Sequence, residues 1–161
     1  MISLVRVDNR LIHGQVVEAW LPYLKVSRVV VADDEASASP LIRAAMGLAV
    51  SDSVQVLIEP LEKLDLGALS QDAVKTLLLV REVEGAQKAR DKGLQVHKLN
   101  LGNVHFATGR KQVSPSVFLS QEELNRLKML AEEGVEVEAR GVPSDRPVVF
   151  SEMVDRFAKG N

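Results

Sequence analysis

Strand-like and helix-like segments alternate from one end of the chain to the other, and that alternation constrains the fold more than any other feature. ISLVRV (2–7) alternates apolar and polar residues, while RVVVA (28–32), VQVLIE (54–59) and VKTLLLV (74–80) are short β-branched or leucine runs. Runs of that kind arise in parallel strands buried on both faces. Helical candidates lie between them. Residues 14–24 place Val17, Trp20, Leu21 and Leu24 on one face, and 40–50 place Leu41, Ala44, Ala45 and Leu48 likewise. Residues 83–92 carry a narrower stripe of Val83, Ala86 and Ala89 ending at Gly93. Pro22 has no N–H to continue a helix, so the first of these is expected to end or kink near Trp20–Leu21.

The second half continues the pattern. VHKLNLG (96–102) reads as a strand leading into a glycine-containing loop, and 103–119 is less regular, with Gly109 and Pro115 suggesting turns and short extended pieces. SQEELNRLKMLAEEG (120–134) is the clearest helix: Ser120 and Glu123 form a capping box, Leu124, Leu127 and Leu130 or Ala131 share a face, and Gly134 is the stop. VEVEARGV (135–142) alternates with period two, and FSEMVDRFAKG (150–160) reads as a closing helix capped by Ser151.

Alternating βα units joined by short loops predict a three-layer α/β/α fold: a central, mostly parallel sheet with helices on both faces, because each right-handed crossover must cover the sheet. At 161 residues the chain is expected to form a single domain, 1–161. In such sheets ligands bind at the carboxyl ends of the strands. The loops at 8–14, 33–37 and 102–108 are therefore expected at one edge.

Composition narrows the chemistry. With 20 Lys+Arg against 22 Asp+Glu the formal net charge is −2, which makes nucleic acid an unfavoured partner. There is no cysteine, so disulfides, thiolate metal sites and cysteine nucleophiles are excluded. The three histidines, His13, His97 and His105, stand in no HxxxH or HExxH arrangement, and no metal is expected. No apolar N-terminal segment resembles a signal peptide or membrane span, so the expected location is cytoplasmic.

The first βα loop, DNRLIHG (8–14), concentrates the reactive groups. Free N–H groups at a helix N-terminus attract an anion, Gly14 permits close approach, and Arg10 offers a planar fork of donors. A neutral imidazole with an ordinary pKa of about 6.5 is a competent nucleophile near neutrality. His13 is thus a candidate phosphoryl acceptor, with Arg10, Gly14 and Asn9 as phosphate-binding candidates. The residues alone leave another reading open, in which His13 caps a loop and Arg10 is an exposed charge or a partner of Asp8. Asp8, Asp33 and Asp34 are candidates to orient Arg10 or the His13 ring; Asp33 and Asp34 are equally placed to cap a helix over 35–49. Asn100, Gly102 and His105 border the site or are structural, His97 is expected to be exposed and incidental, and Trp20 to be core. GRK (109–111) is expected to be a solvated turn.

VRVDNRLIHGQV closely resembles the active-site segment of the IIB phosphocarriers of the mannose/fructose/sorbose (N-acetylgalactosamine) class of the bacterial PEP-dependent sugar phosphotransferase system. SRVVVADDEAS (27–37), LNLGNVHFATGRKQVSPSVFL (99–119) and LAEEGVEVEARGVPSD (130–145) resemble the later blocks of that family in the same order. The resemblance implies a phosphotransferase component in which the residue matching His13 is phosphorylated on Nδ1 by a phosphohistidine of a IIA partner. The group then passes to a sugar held by a membrane IIC/IID complex. It implies that Arg10 neutralises the phosphoryl group and that no dissociable cofactor is needed. Many relatives have Asp at the position of Asn9, so one negative charge is missing beside the site. A regulatory phosphoacceptor of the same fold, and a small-anion-binding domain with no covalent step, are the competing readings. Neither the sugar nor the oligomeric state is legible from these residues.

Overall fold

Seven strands form the central sheet of the computed structural model, which describes residues 1–160. The strands that build its parallel part are β1 (Ile2–Asp8), β2 (Arg28–Ala32), β3 (Gln55–Glu59), β4 (Thr76–Val80), β5 (Lys98–Asn103) and β8 (Glu136–Ala139). The order is β3-β2-β4-β1-β5-β8-β9, every pairing being parallel until β9 (Val148–Val149), which runs antiparallel to β8. A separate hairpin of β6 (Lys111–Ser114) and β7 (Val117–Leu119) supplies the short extended pieces expected around Pro115. Strand β1 lies between β4 and β5, inside the sheet, so its carboxyl end faces a crevice flanked by other strand ends.

Side chains alternate across the sheet and fill two cores. Val5, Val7, Leu99 and Leu101 point to the face covered by α4 (Leu66–Gln71), α5 (Val83–Asp91), α6 (Gln121–Glu132) and α7 (Phe150–Lys159). Leu4, Val29, Val31, Leu77 and Leu79 point to the opposite face, with Val16, Trp20 and Leu21 packed over them. A leucine such as Leu78, with none of its surface exposed, contributes about 1.5–3 kcal/mol by leaving water. The helices on both faces and the mostly parallel sheet match the expected fold class.

The first helix changes hydrogen-bonding pattern where the proline predicts a break. Val16–Trp20 forms a π-helical turn, with the Leu21 N–H donating to the Val16 carbonyl, and α1 (Leu21–Leu24) follows with Pro22 in its first turn. Lys25, in the left-handed region at φ 53°, ends it. The capping box of Ser120 and Glu123 is present, and Gly134 adopts φ +94° at the predicted stop.

Two expectations are corrected. In α3 (Pro40–Ala49) the face carrying Leu41, Ala44, Ala45 and Leu48 points to solvent, with Leu41 81% and Leu48 88% exposed. Ile42 and Met46 take the inward positions instead. The segment PLIRAAMGLAV is apolar nearly all round, so its periodicity did not identify the buried side. The closing helix is not capped by Ser151: β9 runs straight into it, Val149 occupies the capping position without a side-chain bond, and Ser151 lies within the first turn.

Candidate functional site

Strand β1 runs one residue further than expected, and its last residue organises the loop that follows. Leu4, Arg6 and Asp8 share one face of β1 by the strand alternation. Asp8 has no exposed side-chain surface, and its two oxygens are fully used. Oδ2 lies 2.8 Å from His13 Nε2 and accepts from Arg6 Nη2 at 3.1 Å. Oδ1 accepts the Arg10 backbone N–H at 3.0 Å and Arg10 Nε at 3.3 Å. Burial pushes the Asp8 carboxyl up, but the His13 hydrogen bond, the Arg6 charge and the Arg10 N–H outweigh it and hold it below its ordinary value.

An ionised carboxylate only accepts hydrogen bonds, so the atom it holds, Nε2, carries the ring proton in neutral His13. The lone pair is then on Nδ1. Leu11 and Ile12, both buried, anchor the loop on the face where Val16, Trp20 and Leu21 pack, and Leu11 takes φ 58° to make the turn. His13 retains 17% of its side-chain exposure, at the rim and not inside a cavity. The chain is helical from Gly14, and the Val17 N–H bonding to the His13 carbonyl at 3.0 Å is the first such bond. The amides of Gly14, Gln15 and Val16 precede it, as the leading N–H groups of any helix do. Nothing lies within 4 Å of the Cβ position of Gly14, so the space beside its Cα is open.

Arg10 satisfies part of both sequence readings. It does partner Asp8, yet its side chain is 41% exposed and Nη2 reaches Gln15 Oε1 at 3.0 Å, leaving the outer fork toward solvent. Beside Arg10 and Gln15 opens a cleft of about 510 Å³ walled by Asn103, Ser116, Arg140 and Gly141. Asn9 ties the loop to β5: its N–H bonds to the Asn103 carbonyl and its side-chain oxygen accepts from the Asn103 amide.

Asp33 and Asp34 do not reach His13 or Arg10. Asp33 takes the capping role, accepting the Ala36 N–H at 2.9 Å at the start of α2 (Asp34–Ala38), and is gripped by Arg81 at 2.9 and 2.7 Å. Asp34 is exposed in the first turn of that helix. The expected clustering of loops is nevertheless found, because Arg81 Nη1 also reaches the Asn9 carbonyl at 3.4 Å. His97 is exposed, as is His105, whose carbonyl receives Arg110. Arg110 is engaged by Glu123, and Lys111 sits 4.7 Å from the Phe157 ring, so GRK is less free than a solvated turn.

Sequence reasoning missed a buried polar row under the site. Arg6, Asn100 and Glu138 are directly opposite one another on β1, β5 and β8. Asn100, inside β5, accepts from Arg6 and donates to Glu138 Oε1 at 3.1 Å. Trp20 is core, as expected, but also donates to the Gly141 carbonyl at 2.9 Å and lies 4.9 Å from the Arg6 guanidinium. An arginine within a strand expected to lie inside the sheet was the one available signal. Among the described residues no cluster of His, Asp and Glu is arranged to hold a metal, and no helix is long and apolar enough to cross a membrane.

Residues 2–160 match the family described as the PTS system sorbose subfamily IIB component. The chain is 30% identical over 147 residues to the N-acetylgalactosamine-specific phosphotransferase enzyme IIB component 1 of Escherichia coli K12, covering 90% of this chain and 93% of that one. It is 23% identical over 160 residues to the fructose-specific EIIB component of Bacillus subtilis, covering 98% of each. The crystal structure of the IIBSor domain of the sorbose permease from Klebsiella pneumoniae superposes with a TM-score of 0.86 at 25% identity over 96% of each chain.

Proposed function

This chain belongs to the sorbose-subfamily IIB components of the sugar phosphotransferase system, and from that premise we propose that His13 is its phosphoryl acceptor. It takes the group from a phosphohistidine of a IIA partner in the cytoplasm and passes it to a sugar presented by a IIC/IID permease. The observation that carries this reading is the 2.8 Å pairing of His13 Nε2 with a buried, ionised Asp8, which directs the Nδ1 lone pair outward.

Phosphoryl transfer between imidazoles is positioning plus charge neutralisation. The Nδ1 lone pair forms the new N–P bond as the donor's N–P bond breaks and its electron pair returns to the donor ring. His13 keeps its Nε2 proton throughout. The positive charge that its ring gains on bonding at Nδ1 faces Asp8, which stabilises it as a buried carboxylate stabilises any imidazolium. The transferring oxygens are met by the outer donors of Arg10 and by the leading amides of the helix beginning at Gly14, which suit negative charge without a metal. The acceptor hydroxyl of the sugar then attacks phosphorus as the N–P bond breaks; the electron pair returns to Nδ1, the hydroxyl proton leaves to solvent, and the starting ring is restored. A rim position is required, since two proteins must bring their reacting atoms into line over it.

The test is labelling by a phosphorylated IIA protein. His13→Gln is expected to abolish labelling while the fold remains, and His97→Gln and His105→Gln are expected to label as the unaltered protein does. The bond formed should be a phosphoramidate, labile in acid and stable in base, because protonating the ring makes it a good leaving group. Phosphate found at another residue by alkaline mass spectrometry would overturn the reading.

A further inference from the structure

Arg6 is a fully buried cation in the middle of a strand, and a whole residue position is given up to accommodate it. A Cβ placed on Gly102 would fall 2.0 Å from Arg6 Cζ and 2.1 Å from Nη2, so the guanidinium occupies the space that any side chain at 102 would need. Gly102 is inside β5 and has no left-handed backbone to explain it. Close approach is therefore its reason. The guanidinium is held through both terminal nitrogens, while Nε is buried without a partner. Nη1 donates to Asn100 and to the Arg140 carbonyl, Nη2 to the Gly141 carbonyl at 3.0 Å and to Asp8 Oδ2, and the Trp20 ring lies against it.

The oxygen of Asp8 that Arg6 grips is the one that holds His13 Nε2. We propose that Arg6, seated in the space left by Gly102, is a positioning residue for the transfer: it fixes Asp8 Oδ2 against Nε2 so that His13 presents an unprotonated Nδ1. Without it a buried carboxylate loses its nearest full-time cation and the rotamer that its fork imposes. The His13 ring is then free to flip or to carry its proton on Nδ1, where it blocks the attacking lone pair. Arg6 never touches the phosphoryl group; it acts through Asp8, as the groups behind a working histidine do.

The inference rests on the proposed role of His13, and the experiment separates the two. Nitrogen-15 NMR of the unaltered protein should show neutral His13 protonated on Nε2; a dominant Nδ1–H form would overturn the proposal without any variant. In Arg6→Met, which keeps the buried stem, and in Gly102→Ala, which keeps the charge but invades its seat, the Nδ1–H form should gain population and the labelling rate should fall roughly 10–100-fold. Lysine lacks the planar fork near Gly102, so adding Gly102→Ala to Arg6→Lys should slow labelling further by less than it does in the unaltered protein. If the unaltered protein labels at His13 and folded Arg6→Met labels as fast with the same tautomer, Arg6 is merely structural. If the unaltered protein does not label at His13, the functional reading itself has failed.

Discussion

Two aspartates lie at the carboxyl ends of parallel strands, Asp8 closing β1 and Asp33 following β2, and they have opposite uses. Both are held below the ordinary carboxyl value against the upward push of burial, and both are gripped by arginine. Asp33 is closed: Arg81 takes both oxygens and the Ala36 N–H takes what remains, so it binds a loop and starts a helix. Asp8 has spent its acceptors differently, with one on Nε2 of an imidazole that stays partly exposed. A carboxylate at the active edge of a parallel sheet is therefore defined by its donors, not by its position.

The contrast is sharpest in the rate of phosphoryl uptake. Asp8→Asn, which replaces an acceptor-only group by one that also donates, should lower the labelling rate roughly 10–100-fold. Asp33→Asn should leave it within a factor of about 2, the usual scatter for a residue that does not act on the reacting group. Rapid-quench labelling of the two purified variants measures both, and equal losses would erase the distinction.

The arginines of the two sites provide a second comparison. Arg10→Lys keeps the charge but loses the fork that spans two oxygens, and should slow transfer about 10-fold, or about 1.4 kcal/mol of transition-state stabilisation. Arg81→Lys should leave the rate alone and appear only as a lower melting temperature. A labelling rate for Arg10→Lys equal to that of the unaltered protein would return Arg10 to the status of an exposed partner of Asp8.

Stability should rank the pair the other way at the helix cap. Asp33→Ala removes both the cap and the Arg81 pair; the cap alone is worth about 1 kcal/mol, a fall of about 2–4 °C in melting temperature for a chain of this size. Calorimetry checks it. The smallest effect concerns acid. Because the folded values of Asp8 and Asp33 are depressed, their stabilisation is complete above the unfolded value of about 3.9 and is lost as pH falls toward the folded values. The unaltered protein should lose stability more steeply below about pH 4 than Asp33→Asn, in denaturant melts taken between pH 5 and pH 3. Parallel acid limbs would mean that Arg81 contributes nothing to the folded carboxylate.

The parallel sheet, most of its strands and the loop bearing His13 were legible because each is written locally: β-branched runs, a capping box at Ser120 and Glu123, glycine stops at Gly93 and Gly134, and Pro22 at the switch from π to α; α4 and β9 were not. The buried side of α3 was not legible, since a helix apolar nearly all round has no preferred face until it docks. Likewise Val149 displaced Ser151 as the cap position only because β9 pairs with β8 and delivers the chain into α7 without a turn.

By itself the sequence determined the sheet, the edge at which chemistry belongs and the histidine placed there, through patterns that repeat within a turn or a strand. Tertiary structure alone decided which aspartate meets that histidine, why Gly102 bears no side chain and what Arg6 is for. Arg6 reaches Asn100 and Gly141 across 94 and 135 positions of chain. Contacts of that span depend on strand order and register, and a hydrogen bond or a steric exclusion exists only once those have been set.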